Sequence, residues 1–219
     1  MAIALRGAVQ QANGASAGSG NVTLNAPAGL ASNDEFSLTC MAATSITSDA
    51  QLTDFQAPWA DGTGIKHAAA RRLCNGSETS FVETCVGGSL AIGFAVSGVN
   101  TSTPTEQFTK NDPNGTTTFT TTASTPTDDN SWHVVGYHDG NNTNTVATPP
   151  AGYTILGARQ DNGAVGTGVM YRKDLGAGSA GTPVTATLVW TSNAWGTAIS
   201  YIIRPSLAGS DTLMGGGCL

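Results

Sequence analysis

Charged residues are scarce in this chain. Asp, Glu, Lys and Arg make up 11% of its 219 residues, and fifteen acidic groups against nine basic ones leave a formal charge of −6. Nucleic-acid binding needs a basic stripe to release counterions from phosphates, so this balance argues against it. The single basic cluster, Lys66, His67, Arg71 and Arg72, is too small to supply one. Long hydrophobic runs are missing too. No stretch approaches the ~18 apolar residues of a membrane-spanning helix. Residues 1–6 are too short for a secretory leader and carry Arg6 on the wrong side. The expectation is a protein made in a cytoplasm and not exported by the general route, with neither a membrane nor a nucleic acid as partner. Helical patterning is also sparse, since only residues 66–73 have helical propensity.

Glycine is abundant, at 28 residues, and Thr, Ser, Asn and Ala crowd the chain around it. A hydrophobic fraction of 39% is too high for a solvating tail, and a chain of this length buries roughly 70% of its extended surface on folding. Two independent domains would each be marginal at that apolar content, so one main β-domain is expected. The clearest phrase, residues 148–203, reads as a Pro-Gly turn followed by four short strands separated by glycine-rich turns. Residues 56–99 repeat that order in degraded form. Upstream, residues 21–24 match 117–120, and residues 132–135 take the place of 36–39, where Phe36, Leu38 and Cys40 alternate with polar residues.

Residues 90–96 and 198–203 close the two halves as apolar central strands. The duplication aligns residues 66–73 with 166–173, where Val169 and Tyr171 share a face, so 66–73 is read as strand. The expected architecture is all-β: an antiparallel β-sandwich, jelly-roll-like, built from two pseudo-repeats of about four strands. The sandwich spans residues 21–205, with the repeats roughly at 21–100 and 115–205. Residues 1–20 are expected to form an N-terminal arm and 206–219 a glycine-rich C-terminal tail.

Motifs with catalytic associations fail on context. Residues 14–18 fit the G-x-S-x-G pattern, but Ser16 would have to sit between a strand and a helix. Residues 176–181 fit G-x-G-x-x-G, yet Pro183 and a strand follow where a helix should hold the pyrophosphate. His133 and His138 are an odd number of residues apart, so on one strand they point to opposite faces and make no metal pair with Asp139. Asp128, Asp129 and Asn130, like Asp139 and Asn141, read as turns before they read as calcium loops. Glu35, Glu78, Glu83 and Glu106 lack an aromatic cluster that would raise a carboxyl's pKa and stack a sugar. The Asn-x-Ser/Thr sequons at Asn21, Asn75, Asn100, Asn114 and Asn141 are what such a composition contains by chance. No catalytic residue, cofactor or metal site is expected, and Trp59, Trp132, Trp190 and Trp195 read as core and edge residues.

The four cysteines divide by context. Cys40 alternates with Phe36 and Leu38 as a buried small hydrophobe. Cys74 ends a strand before the Asn75-Gly76 turn. Cys85 lies further along the return strand than the position opposite Cys74, so a bridge between those two is not expected. Cys218 sits in a glycine-rich terminus where a thiol has no packing role. It is either incidental or an intermolecular disulfide to a neighbouring chain, with Cys74 as the second candidate for such a bridge.

The phrase TPPAGYTILGARQDNG, continued by VMYRK and TPVTATLVWTSNAWGTAISYII and preceded by DDNSWHVVGYHDG, resembles a β-sandwich module of tailed-bacteriophage structural proteins. The same pattern also occurs in bacterial surface and secreted proteins. The resemblance covers the second half, and the first half only through the duplication. It implies a non-enzymatic virion component assembled in the bacterial host cytoplasm. That component would be a capsid decoration or minor capsid protein that stabilises the particle, a collar or tail accessory protein, or a receptor- or carbohydrate-binding module of a tail fibre. Its partners would be other virion proteins and copies of itself. On the last reading Trp59, Trp195 or Tyr153 would form an exposed aromatic platform.

Overall fold

The structure is a computed structural model that describes residues 2–14, 19–141, 143–161 and 165–206; Ser16 and Cys218 lie outside the described residues. Its regular elements are all strands, paired antiparallel throughout. In the first half, β1 (Ala4–Asn13), β8 (Ser89–Ser97), β3 (Ser32–Ala42), β6 (Lys66–Asn75) and β5 (Thr53–Ala60) lie side by side in that order. A second, three-stranded sheet holds β2 (Ser19–Asn25), β7 (Ser80–Val86) and β4 (Ser45–Ser48).

The second half contains β9 (Thr105–Asn111), β10 (Asn114–Thr120), β11 (Trp132–Asp139), β12 (Val146–Thr148), β13 (Thr154–Asp161), β14 (Gly166–Asp174) and the 17-residue β15 (Thr187–Ile203). Up to Trp195, β15 pairs with β10 and β12; from Gly196 it pairs with β11, joined by β9 at Ala198. The order β9-β15-β11-β14-β13 therefore has the same form as β1-β8-β3-β6-β5, and β10-β15-β12 the same form as β2-β7-β4.

The halves differ where the chain passes from the small sheet to the large one. In the first half it turns at Gly87, with φ at 83°, and begins β8 as a new strand. In the second it runs straight through Gly196, where any side chain would collide with the backbone carbonyl of His138. Glycine is required at Gly196 by close approach of two strands, not by turn chemistry.

Each half is an antiparallel β-sandwich, and the two large sheets pack face to face. Phe36, Leu38, Cys40 and Ala42 of β3 meet Val22, Leu24, Phe81 and Cys85 of the small sheet. In the second half Val135, Tyr137, Val169 and Tyr171 meet Phe119, Leu188 and Trp190. Between the large sheets, Ile92, Phe94 and Val96 pack against Trp132, Val134, Met170, Tyr201 and Ile203. Residues 34–42 of β3 and all of β11 are consequently buried on both faces. Edge strands close the seam: Arg159 Nε donates to Asn13 Oδ1 at 2.7 Å between β13 and β1, and Phe55 of β5 stacks on Phe108 of β9 at 5.6 Å.

Residues 66–73 are strand, within β6. Residues 4–13, expected to belong to a free arm, instead form β1 along β8. Gly7, at φ 60°, lies in the irregular stretch between Arg6 and Gln10, so its glycine marks a bulge inside a strand. Gly196→Ala should destabilise the protein by roughly 2–3 kcal/mol, because neither backbone at the crossing can move aside. Urea denaturation measures this, and a loss below about 0.5 kcal/mol would contradict the close-approach argument.

Candidate functional site

Packing two sheets face to face puts the alternate residues of β3 into an interior layer. Glu35, Ser37 and Thr39, which alternation alone would assign to solvent, are fully buried. Buried polar groups need partners, and the seam supplies them in a chain across the two halves. Thr39 Oγ1 lies 3.2 Å from His138 Nε2, His138 Nδ1 lies 3.1 Å from His67 Nδ1, and His67 Nε2 lies 3.1 Å from Asp61 Oδ2. One neutral assignment satisfies every link. Thr39 donates to His138 Nε2, His138 Nδ1–H donates to His67, and His67 Nε2–H donates to the Asp61 carboxylate.

Burial, then the neighbouring His67, holds His138 well below its ordinary value. Burial works to raise Asp61, but hydrogen bonds from His67 and Thr63 outweigh it and leave the carboxyl at about 2. Hydroxyl, imidazole and carboxylate in series are the parts of a nucleophile relay. Here Thr39, His67 and His138 have no exposed surface, and Asp61 is 8% exposed, so the series acts as a cross-brace between sheets.

Two further carboxyls are buried. Burial pushes Glu35 up to about 7, against hydrogen bonds from Thr105 and Ser37 and the nearby Arg71 charge. Burial likewise pushes Glu83, inside the first half, up to about 8. Asp139, next to His138, organises the loop that follows it: its Oδ1 accepts from the amides of Asn141 and Trp195, and its Oδ2 from Asn144 Nδ2 at 2.6 Å. Asn144 Oδ1 in turn accepts from Ser192, which ties that loop to the bend of β15. Asp139 and Asn141 therefore act as turn formers.

An open cleft of about 960 Å³ lies at one end of the molecule, where Ile3 and Leu5 of the N-terminal segment meet Asp128, Trp132, Arg172 and Pro205. The Arg172 guanidinium stacks 4.0 Å from the Trp132 ring centre, and Arg204 pairs with Asp128 at 2.6 Å. Asp129 accepts the Ala180 amide, which fastens the 176–181 loop across to the 128–130 turn. The cleft lining carries Asp128, Asp129 and Asp174 against one base, Arg172, which pairs with Asp174 at 2.8 Å.

The sequence-derived candidates are scattered. His133 and His138 do face opposite ways, His133 bonding the Tyr153 hydroxyl at 2.6 Å in the second half's interior. Burial, then the Lys173 charge, lowers His133 to about 4. Glu78 caps the Asn75-Gly76 turn and holds Arg72 at 2.8 Å, and Glu106 accepts from Thr127. Trp59 is buried and so forms no platform, whereas Trp195 is 41% exposed. Cys74, the second candidate for an intermolecular bridge, is 3% exposed, its thiol held toward the Arg72 carbonyl and raised by burial to about 12. Among the described residues, no three His, Cys, Asp or Glu side chains form a group able to hold a metal ion. Asp61 and Thr39 went unsuspected in the sequence. The available signal was Asp61 and His67 flanking one glycine-rich hairpin turn on strands that pair Trp59 with His67.

No family model, curated protein or solved structure matches the chain.

These ionisations set a pH profile for stability. Glu35 and Glu83 keep their protons in the fold to about 7 and about 8, against 4.5 ordinarily. Their contribution is therefore full below pH 4.5 and lost as pH rises through the folded values. His133 and His138 are held neutral, so their contribution is lost as pH falls below 6.5. Asp61 and Glu78, both at about 2, add a further loss in strong acid. The two glutamates and the two histidines oppose each other between 4.5 and 6.5, so a plateau is expected there, with decline on either side. Glu83→Gln should flatten the decline between pH 6.5 and 8 by roughly 1.4 kcal/mol per pH unit. Urea midpoints across that range are the check; an unchanged slope would mean Glu83 is ionised in the fold.

Proposed function

We propose that the chain is a non-enzymatic structural component of a tailed-bacteriophage particle. In this reading it is a capsid decoration or minor capsid protein, assembled in the host cytoplasm alongside other virion proteins and copies of itself. The residue 148–203 phrase supports the reading by its resemblance to sandwich modules of such proteins. The repeated strand order supports a duplicated module whose second copy fuses the equivalents of β7 and β8 into β15. The observation that carries the proposal is the doubled sandwich itself: its polar series and its shifted histidines and glutamates are buried inside it, and what it offers to neighbours is sheet edges and loops. With Cys74 sealed, Cys218 is the remaining candidate for a covalent link to a neighbour.

A receptor- or carbohydrate-binding module of a tail fibre is the second reading, favoured by the exposed indole of Trp195 at the bend of β15. A collar or tail accessory role uses the same attachment with a smaller copy number.

Quantitative mass spectrometry of purified particles whose genome encodes this chain tests the proposal. The chain should be present at a fixed copy number that matches the symmetry of a shell or, for a collar, of a ring. Non-reducing gels of those particles should show a band above monomer mass that reductant collapses. A chain expressed in the host but missing from the particles would overturn the virion reading. Location at a fibre tip, with host adsorption lost in Trp195→Ala, would select the second reading over the first.

A further inference from the structure

Two thiols meet in the interior of the first half, away from the polar seam. Cys40 stands on β3 in the large sheet and Cys85 on β7 in the small one, both without exposed surface. Their Sγ atoms are 3.7 Å apart. Neither strand neighbours the other in a sheet. Cys40 lies between Ala68 and Ala91, and Cys85 between Gly20 and Ile46, so the sulfurs approach across the layer between the sheets. The flanking alanines are small. Thiols are weak donors and weak acceptors, so a shared S–H contact gives little reason for two sulfurs to be aimed at each other in an apolar core.

We propose that Cys40 and Cys85 form a disulfide site, at which an intramolecular cystine pins the three-stranded sheet to the five-stranded sheet of the first half. The separation has to fall from 3.7 Å to about 2.05 Å, which side-chain rotation and a small approach of the sheets supply. The oxidant is a low-molecular-weight disulfide. Either thiol can attack first once it is exposed, and the balance is the same for both orders. With Cys85 first, its thiol gives up its proton and attacks one sulfur of the small disulfide, releasing one small thiol. Cys40 then loses its proton and attacks the mixed disulfide at Cys85, releasing the second. Two protein thiols are oxidised to one cystine, and one small disulfide is reduced to two thiols.

Because both sulfurs are sealed in the folded protein, exchange takes place before the small sheet docks or when it opens. In a reducing cytoplasm the pair stays as thiols; in an oxidising medium it closes. The residues are 45 apart in sequence, so closure constrains a long loop of the unfolded chain and raises stability. This site is separate from the proposed link through Cys218 and does not depend on the virion reading.

Peptide mapping of the full chain tests it. Cleavage after Lys, Arg and Glu places Cys40, Cys74 and Cys85 on separate peptides, 36–66, 73–78 and 84–106. The chain is refolded in a mixture of oxidised and reduced glutathione, then alkylated while denatured. The expected product is peptide 36–66 joined to 84–106, lighter than their sum by two hydrogens, with Cys74 alkylated. The oxidised protein should also melt several degrees above the reduced one, and Cys85→Ala should abolish that difference. Alkylation of both Cys40 and Cys85 after refolding, or linkage of either to Cys74 or Cys218, would overturn the proposal. The mapping uses the unaltered chain, so it decides the matter even if Cys85→Ala fails to fold.

Discussion

Burial of both faces of the two large sheets is the constraint on which the rest of this structure depends. A strand with one buried face can give its other face to water. β3, β8 and β11 have no such face, since a small sheet covers one side and the opposite large sheet covers the other. Apolar residues meet that demand on β8, where Ile92, Phe94 and Val96 enter the seam. On β3 the seam face is Glu35, Ser37 and Thr39, and each must find a partner inside the protein. The Thr39–His138–His67–Asp61 series is the longest answer, and it links the halves because His138 belongs to the second while the other three belong to the first.

The same constraint accounts for the unusual ionisation. A carboxyl in a dry layer with hydroxyl partners keeps its proton, and an imidazole there stays neutral, so Glu35 and His138 shift in the directions that burial dictates. Asp61 is the exception and shows the mechanism. Hydrogen bonds from His67 to Oδ2 and from the Thr63 hydroxyl and amide to Oδ1, in a hairpin turn, keep it ionised against the cost of burial. The brace therefore ends on a fixed negative charge, which sets the direction of every hydrogen bond along it.

Much of the strand layout was legible in the sequence. The alternation of Phe36, Leu38 and Cys40 and the unbroken runs at 90–96 and 198–203 identified β3, β8 and the end of β15 by period and by apolarity. The helical composition of residues 66–73 did not mislead, because their alignment with residues 166–173 reads them as strand, and they lie within β6. Other features were hidden for physical reasons. Residues 7–13 looked like a linker since Gly7, Ala8 and Ala12 carry little hydrophobic signal, yet as an edge strand β1 needs backbone pairing more than side-chain burial. The polar face of β3 looked solvent-facing because period-two alternation cannot tell water from a second polar-lined sheet. The approach of Cys40 to Cys85 depends on how two sheets stack, and sequence spacing carries no trace of that.

The central claim is that the seam makes the two halves one cooperative body. Amide hydrogen exchange, followed by mass spectrometry under native conditions, tests it most directly. Peptides covering β3 and β8 should exchange with the same opening free energy as those covering β11 and the end of β15, and those free energies, corrected for the intrinsic pH dependence of amide exchange, should change together as pH is raised through the Glu35 value of about 7. Separate opening free energies for the two halves, with one fully exchanged while the other stays protected, would contradict it.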